Sequence, residues 1–255
     1  MPGGALAPVA LRPWMPTAYN LMSYTWNMKL LLTSNGLANN SIKDALEDLV
    51  GKHRNEIKIV FIPTAAFCTD ETAHEKHDWL AKDINDAKEF CGHFRIVSLA
   101  DVSKEEMLSS LEYADVIFIG GGNAFYLSYW MDKLGLFDEL PRLLESRVYA
   151  GISAGTMIAT QSLRTVSHAI KNTEFFNQGK FDEFVPGGKA NSRTAKLVDL
   201  VVRPHYGRRD FDEEYLEDIA RDVGYPLYAL DDQSALKIID GKVEVISEGT
   251  WKLLK

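Results

Sequence analysis

Gly151-Ile152-Ser153-Ala154-Gly155 places a hydroxyl between two glycines in a G-x-S-x-G pattern. Such a pattern turns sharply from a strand into a helix and presents the serine at the apex. Val148, Tyr149 and Ala150 before it are apolar, as in a buried strand, and Thr156-Met157-Ile158-Ala159 after it suits a helix. Glycine is wanted where the backbone folds back or a substrate must approach closely. The N–H groups that open the helix point toward the same spot, so the pentapeptide offers a nucleophile and part of an anion-stabilising site. Read for structure alone, it is a tight glycine turn with a capping serine.

A second glycine cluster, Gly120-Gly121-Gly122-Asn123, follows the apolar run Val116–Ile119. Its backbone N–H groups can line a pocket for a developing oxyanion. Neither the phosphate-loop lysine nor the Gly-x-Gly-x-x-Gly dinucleotide pattern accompanies it, which argues against a nucleotide. A base is the next requirement. His53, His74, His77 and His93 lie in polar or helical stretches, and His74-Glu75-Lys76-His77 lacks the spacing of a zinc helix. His168, after the elbow helix, is a weak rival. His205 follows the apolar run 197–202, which reads as a central strand, and Arg203-Pro204. A general base is expected at such a strand end, although a packing histidine would look the same. Asp231 and Asp232 close the apolar stretch 226–230 and could orient an imidazole. Neighbouring strand residues point to opposite faces, so at most one of them can face His205, and the spacing does not choose.

The elements that hold these residues alternate between strand and helix. Strands are expected at 30–33, 57–62, 94–99, 116–119 and 148–152. Helices are expected at 41–52 with Ser41 as cap, 72–90, 104–111, 124–134 and 137–145. Apolar strands separated by helices imply parallel pairing with both faces covered. The fold class is therefore α/β, a doubly wound, mostly parallel sheet with ligands bound at the carboxyl ends of its strands. Ser153 sits at such an end. Residues 1–27 carry four of the nine prolines and read as an N-terminal extension outside the core, or an arm on a partner subunit. Residues 28–255 read as a single domain.

Composition narrows the class of function. A net charge of −8 is not that of a nucleic-acid binder. No apolar run reaches the roughly 18–20 residues a membrane helix needs. Cys68 and Cys91 form neither a metal-ligand spacing nor a disulfide framework, and they fit a reducing, cytoplasmic setting. Cys68 as a nucleophile lacks an elbow. The aromatic run 125–131 predicts a buried face or a homodimer contact.

Taken in order, the glycine cluster, the elbow at Ser153, Arg203-Pro204-His205-Tyr206 and Leu230-Asp231-Asp232-Gln233-Ser234-Ala235-Leu236 resemble the dipeptidase E and cyanophycinase family of serine peptidases. The resemblance covers most of residues 28–255. It implies a flavodoxin-like three-layer sandwich similar to the class I glutamine amidotransferases, with serine in place of their cysteine. It implies Ser153 as nucleophile, His205 as base and an oxyanion hole matching Gly122 and Ala154, with Gly121 and Asn123 beside it. The family's acid is usually a glutamate, and Asp232 stands at the matching position, a shorter carboxylate.

The implied chemistry is acyl transfer from a small peptide to water, without metal or organic cofactor. The order serine, histidine, acid differs from the α/β-hydrolase order of serine, acid, histidine. Asp199, between Ser153 and His205, leaves that rival order open. Relatives in the family prefer an amino-terminal aspartate or cut an aspartyl-arginine polymer. Arg203, Arg208 or Arg209 could clamp a substrate carboxylate, or pair with Asp210, Asp212 and Glu213. The aromatic segment 171–193 reads as an insertion beside the site. A serine esterase and a non-catalytic binding protein of the same fold are the alternatives.

Overall fold

Val148–Ile152 (β5) carries no charged side chain, and each of its residues is buried. A strand without a wet face needs cover on both sides. The computed structural model, which describes residues 28–68, 78–166, 185–208 and 213–254, sets β5 at the centre of a seven-stranded sheet. The other strands are β1 (Lys29–Thr33), β2 (Lys58–Ile62), β3 (His93–Ile96), β4 (Val116–Ile119), β8 (Ser234–Ile239) and β9 (Lys242–Ser247), in the order β3-β2-β4-β5-β1-β8-β9. The first five run parallel, while β8 and β9 add antiparallel at the β1 edge.

Helices cover both faces, as the alternation of strand and helix implies. Leu31, Phe61, Phe118 and Ala150 point to the side of α1 (Asn40–Val50) and α2 (Asp78–Phe90), where they meet Ile42, Leu46, Ala87 and Phe90. Leu30, Leu32, Ile117 and Tyr149 point the other way. They meet α3 (Lys104–Tyr113), α4 (Ala124–Lys133), α5 (Leu136–Leu143) and α6 (Ala154–Ile158) through residues such as Met107, Leu127, Leu140 and Ile158. Consecutive strand residues alternate faces, so Leu30, Leu31 and Leu32 serve two cores in turn.

Local departures from the expected elements have local causes. Asn39, not Ser41, caps α1: its side chain accepts from the Ile42 N–H at 3.0 Å, while the Ser41 hydroxyl donates to Glu248 at 2.7 Å. A short polar residue two positions earlier satisfies the free helix N–H equally well, and its position decides. β3 ends at Ile96, and Val97 and Leu99 are buried in the connection that follows. Of the helix expected at 72–90, residues 78–90 are helical, and 72–77 lie outside the described residues.

The run 197–202 corrects a larger expectation. It does not enter the central sheet. Only Val201–Pro204 is a strand (β6), and it belongs to a separate three-stranded sheet. There it pairs parallel with β7 (Leu227–Leu230), which pairs antiparallel with β10 (Trp251–Leu254). Val198, Leu200 and Val202 face the main core, whereas Val201 packs with Leu227, Ala229 and with Leu216, Ile219 and Ala220 of α7 (Glu213–Val223). Apolarity on both sides reports burial, and a small covered sheet buries its strands as fully as a large one.

Registers bring the strand ends together. Thr33 pairs with Ile152, and Ile119 with Gly151, so Ser34, Gly120 and Ser153 emerge along one edge. Pro204 pairs with Leu230, so His205 and Asp231 leave the small sheet side by side.

Candidate active site

Both glycines of the elbow are dictated by close approach. A Cβ on Gly155 would stand 2.1 Å from the Ile119 carbonyl oxygen, and one on Gly151 would stand 2.7 Å from the backbone at Gly155 and Thr156. Between them Ser153 has φ 46° and ψ −100°, a conformation that L residues seldom adopt and that functional sites often hold. Neighbours fix it. The Ser153 N–H donates to the Thr33 carbonyl at 3.1 Å, and the Thr156 hydroxyl lies 2.7 Å from that same carbonyl and 2.9 Å from that of Gly151. Beneath the turn, the fully buried Tyr149 donates its hydroxyl to the Gly155 carbonyl at 2.6 Å.

His205 comes from the small sheet. Its Nε2 lies 3.0 Å from Ser153 Oγ, and its Nδ1 lies 2.6 Å from Asp232 Oδ1. The carboxylate acts only as an acceptor, so Nδ1 carries the proton toward it and Nε2 is left to accept from the serine hydroxyl. Asp232 Oδ2 is occupied by Arg208, through Nη2 at 2.7 Å and Nε at 3.2 Å. Burial pushes the Asp232 carboxyl up. The hydrogen bonds and charges of His205 and Arg208 outweigh it and hold the group well below the usual carboxylate range. Asp232 is thus held as an anion beside the imidazole.

Asp231, the alternative acid, points elsewhere. Its Oδ1 accepts from the Gln233 N–H at 3.0 Å and the Ser234 hydroxyl at 2.5 Å, and its Oδ2 accepts from the Thr250 N–H. All of these bonds shape the turn between β7 and β8 and tie it to the start of β10. Asp199 lies just before β6, at the end opposite His205, and accepts from Gln161 Nε2 at 3.0 Å, so no described contact supports the serine, acid, histidine order.

The glycine loop lies against the nucleophile, with the Cβ position of Gly121 3.5 Å from Ser153 Cβ. Gly122 has φ 128° and sits on the chain at Ala65, whose carbonyl oxygen would be 2.3 Å from an added Cβ. Among the described residues neither the Gly122 nor the Ala154 N–H has a partner. Asn123, beside these two donors, has its own backbone engaged. Its N–H donates to the Ala65 carbonyl at 2.8 Å, and its side-chain oxygen accepts from Phe125 and Tyr126 N–H at 3.0 Å each. It caps α4 and anchors the loop, leaving no free donor on its backbone for an oxyanion.

The remaining expectations resolve by position. Cys68 is buried at 2 % exposure, which pushes its thiol up to about 12, so it holds no reactive thiolate. Arg203 is buried with Nη1 3.3 Å from the Thr165 carbonyl, and Arg208 pairs with Asp232. Arg209, Asp210, Asp212, His74, His77, His168, residues 171–184 and residues 1–27 lie outside the described residues. Tyr126, Leu127, Ser128 and Met131 of the aromatic run are buried inside this chain. Among the described residues no three His, Cys, Asp or Glu side chains gather as a metal site, and no helix is long and apolar enough to cross a membrane. Sequence reasoning missed Ser34, wholly buried, whose Oγ accepts from the His205 N–H at 2.8 Å and lies 3.4 Å from Asp232 Oδ1. Its signal was a polar residue placed directly after the first parallel strand.

Comparison with known proteins agrees with this architecture. A Drosophila melanogaster protein named "Probable alpha-aspartyl dipeptidase" is 27% identical over 220 residues, covering 82% of this chain and 80% of the relative. "Peptidase E" of Streptomyces coelicolor is 25% identical over 223 residues, covering 83% and 81%. The crystal structure of a Listeria monocytogenes EGD-e protein superposes with a TM-score of 0.66 at 21% identity, over 87% of this chain and 99% of that one, which shows the shared fold. The model of peptidase family S51 matches residues 30–246, so the chain belongs to that family and is a serine-type peptidase, a hydrolase.

Proposed function

We propose that Ser153, His205 and Asp232 form a catalytic triad that hydrolyses small peptides through an acyl-enzyme. The observation that carries this reading is the continuous line from Ser153 Oγ to His205 Nε2 at 3.0 Å and from Nδ1 to Asp232 at 2.6 Å. Ser153 attacks the peptide carbonyl while His205 takes its proton. Asp232 keeps the imidazole in the required tautomer and balances the charge that forms on it. The oxyanion is received by the N–H groups of Gly122 and Ala154, each donor of this kind being worth roughly 3–4 kcal/mol of barrier. His205 then gives its proton to the departing amine. A water, deprotonated by the same imidazole, attacks the ester and returns Ser153.

For the substrate, the name of the Drosophila relative supports a dipeptide with amino-terminal aspartate. The free thiols of Cys68 and Cys91 support action in the reducing cytoplasm. The deciding experiment is hydrolysis of a dipeptide library, Asp-X members included, by the wild type and by Ser153→Ala, with a fluorophosphonate to tag the nucleophile. Turnover of Asp-X peptides that disappears in the variant, with the tag on Ser153, is the expected result. Turnover surviving in Ser153→Ala, or a tag on another residue, refutes the assignment.

A further inference from the structure

The two sheets contribute different members of the triad. Ser153 belongs to the edge of the large sheet, and His205 to the end of β6 in the small one. Hydrogen-bond catalysis needs these placed to a fraction of an ångström, so something must register one sheet against the other. Ser34 stands at the junction. It directly follows β1, is wholly buried, and its N–H donates to the Ser234 carbonyl at 3.2 Å, tying it to the start of β8. Its Oγ accepts from the His205 N–H at 2.8 Å and lies 3.4 Å from the same Asp232 oxygen that receives the His205 Nδ1 proton.

His205 is also in a left-handed conformation, with φ 63°, one of only four non-glycine residues with positive φ among those described. A side chain larger than glycine holds such a conformation only when its surroundings over-determine it. The fixed points on either side are the Ser34 bond to the His205 N–H and the bond from the Tyr206 N–H to the Leu230 carbonyl at 2.9 Å. The second bond belongs to the small sheet itself. Of these two backbone bonds, only the first reaches the large sheet.

We infer that Ser34 is a positioning residue, which pins the His205 backbone to the large sheet and so sets the imidazole between Ser153 and Asp232. This inference rests on the triad reading proposed above. It assigns Ser34 no contact with substrate. Losing the pin lets His205 relax toward an ordinary backbone conformation and draws Nε2 away from Ser153 Oγ. A misplacement of about 1 Å at a reacting group costs on the order of 100-fold in rate.

The test compares wild type and Ser34→Ala in three readings: the second-order rate of fluorophosphonate labelling at Ser153, kcat and KM on the best dipeptide, and the proton NMR resonance of His205 Nδ1–H. The expected result is a 10- to 100-fold fall in labelling rate and kcat, KM within twofold, and a displaced or broadened Nδ1–H resonance. Wild-type labelling and kcat in Ser34→Ala overturn the inference. A lower rate with an unchanged resonance also overturns it, since the loss would then not pass through His205. If Ser34→Ala does not fold, Ser34→Cys takes its place, because sulfur fills the site but accepts a hydrogen bond weakly. An intermediate slowing with a displaced resonance supports the inference, and wild-type behaviour overturns it. Failure of the underlying triad reading is distinguishable, because the wild type itself would then not label at Ser153.

Discussion

Asp83 gives the sharpest test of the energetics of this fold. It lies in the second turn of α2 and is only 6 % exposed, with its Oδ1 3.2 Å from where a Cβ on Gly36 would stand. Among the described residues no donor is bonded to it. Burial pushes its carboxyl up from the ordinary 3.8 to about 7, against a small lowering by Lys82 and with a small raising by Asp86. The sign follows from proton binding. Between pH 3.8 and about 7 the native protein keeps a proton on Asp83 that the unfolded chain has released, so stability falls as pH rises through that window. The penalty is complete above it. At 1.36 kcal/mol per pH unit, the displacement from 3.8 to about 7 corresponds to about 4 kcal/mol. Asp83→Asn keeps the shape and removes the titration. Its stability relative to wild type is expected to be near zero near pH 4 and to rise to about 4 kcal/mol by pH 8. For a protein of this size that is roughly 8–16 °C in Tm. Urea unfolding of both proteins at half-unit steps from pH 4 to 8.5 measures the difference directly. A difference that does not change with pH refutes the reasoning, because a buried carboxyl with an ordinary pKa contributes no such slope.

Two further outcomes follow from the site. Asp232→Asn leaves the fold intact but offers an amide where the imidazole needs an anion, so kcat is expected to fall by roughly 10³- to 10⁴-fold with little change in KM, measured on the best dipeptide. Asn123→Ala removes the cap of α4 and is expected to cost about 1 kcal/mol in urea unfolding, whereas Asn123→Asp, another good cap, retains most of that stability. If Asn123→Ala lowers kcat while leaving stability unchanged, the assignment of Asn123 as an anchor and not an oxyanion donor is wrong.

Much of the scaffold was legible in the residues. Val116–Ile119 and Val148–Ile152 are apolar runs of strand length bounded by turn signals, and they form strands over those residues. The elbow glycines announced a place where no Cβ fits, and the packing of Gly151 and Gly155 supplies the reason. These features are local: they depend on alternation, on apolar length and on the steric freedom of glycine, each of which a short stretch of sequence contains. What lay beyond it depends on contacts between residues far apart in the chain. The run 197–202 is apolar in either sheet, so only packing against α7 and pairing with β7 decided that β6 belongs to the small one. Asp231 and Asp232 are chemically alike, and the choice between them waited on which side of the turn faced His205. The bonds of Ser34 to His205 and of Arg208 to Asp232 were silent for the same reason. The partners stand 171 and 24 residues apart along the chain. A hydrogen bond between distant residues leaves no periodicity in either segment, and the tertiary structure alone brings its two ends together.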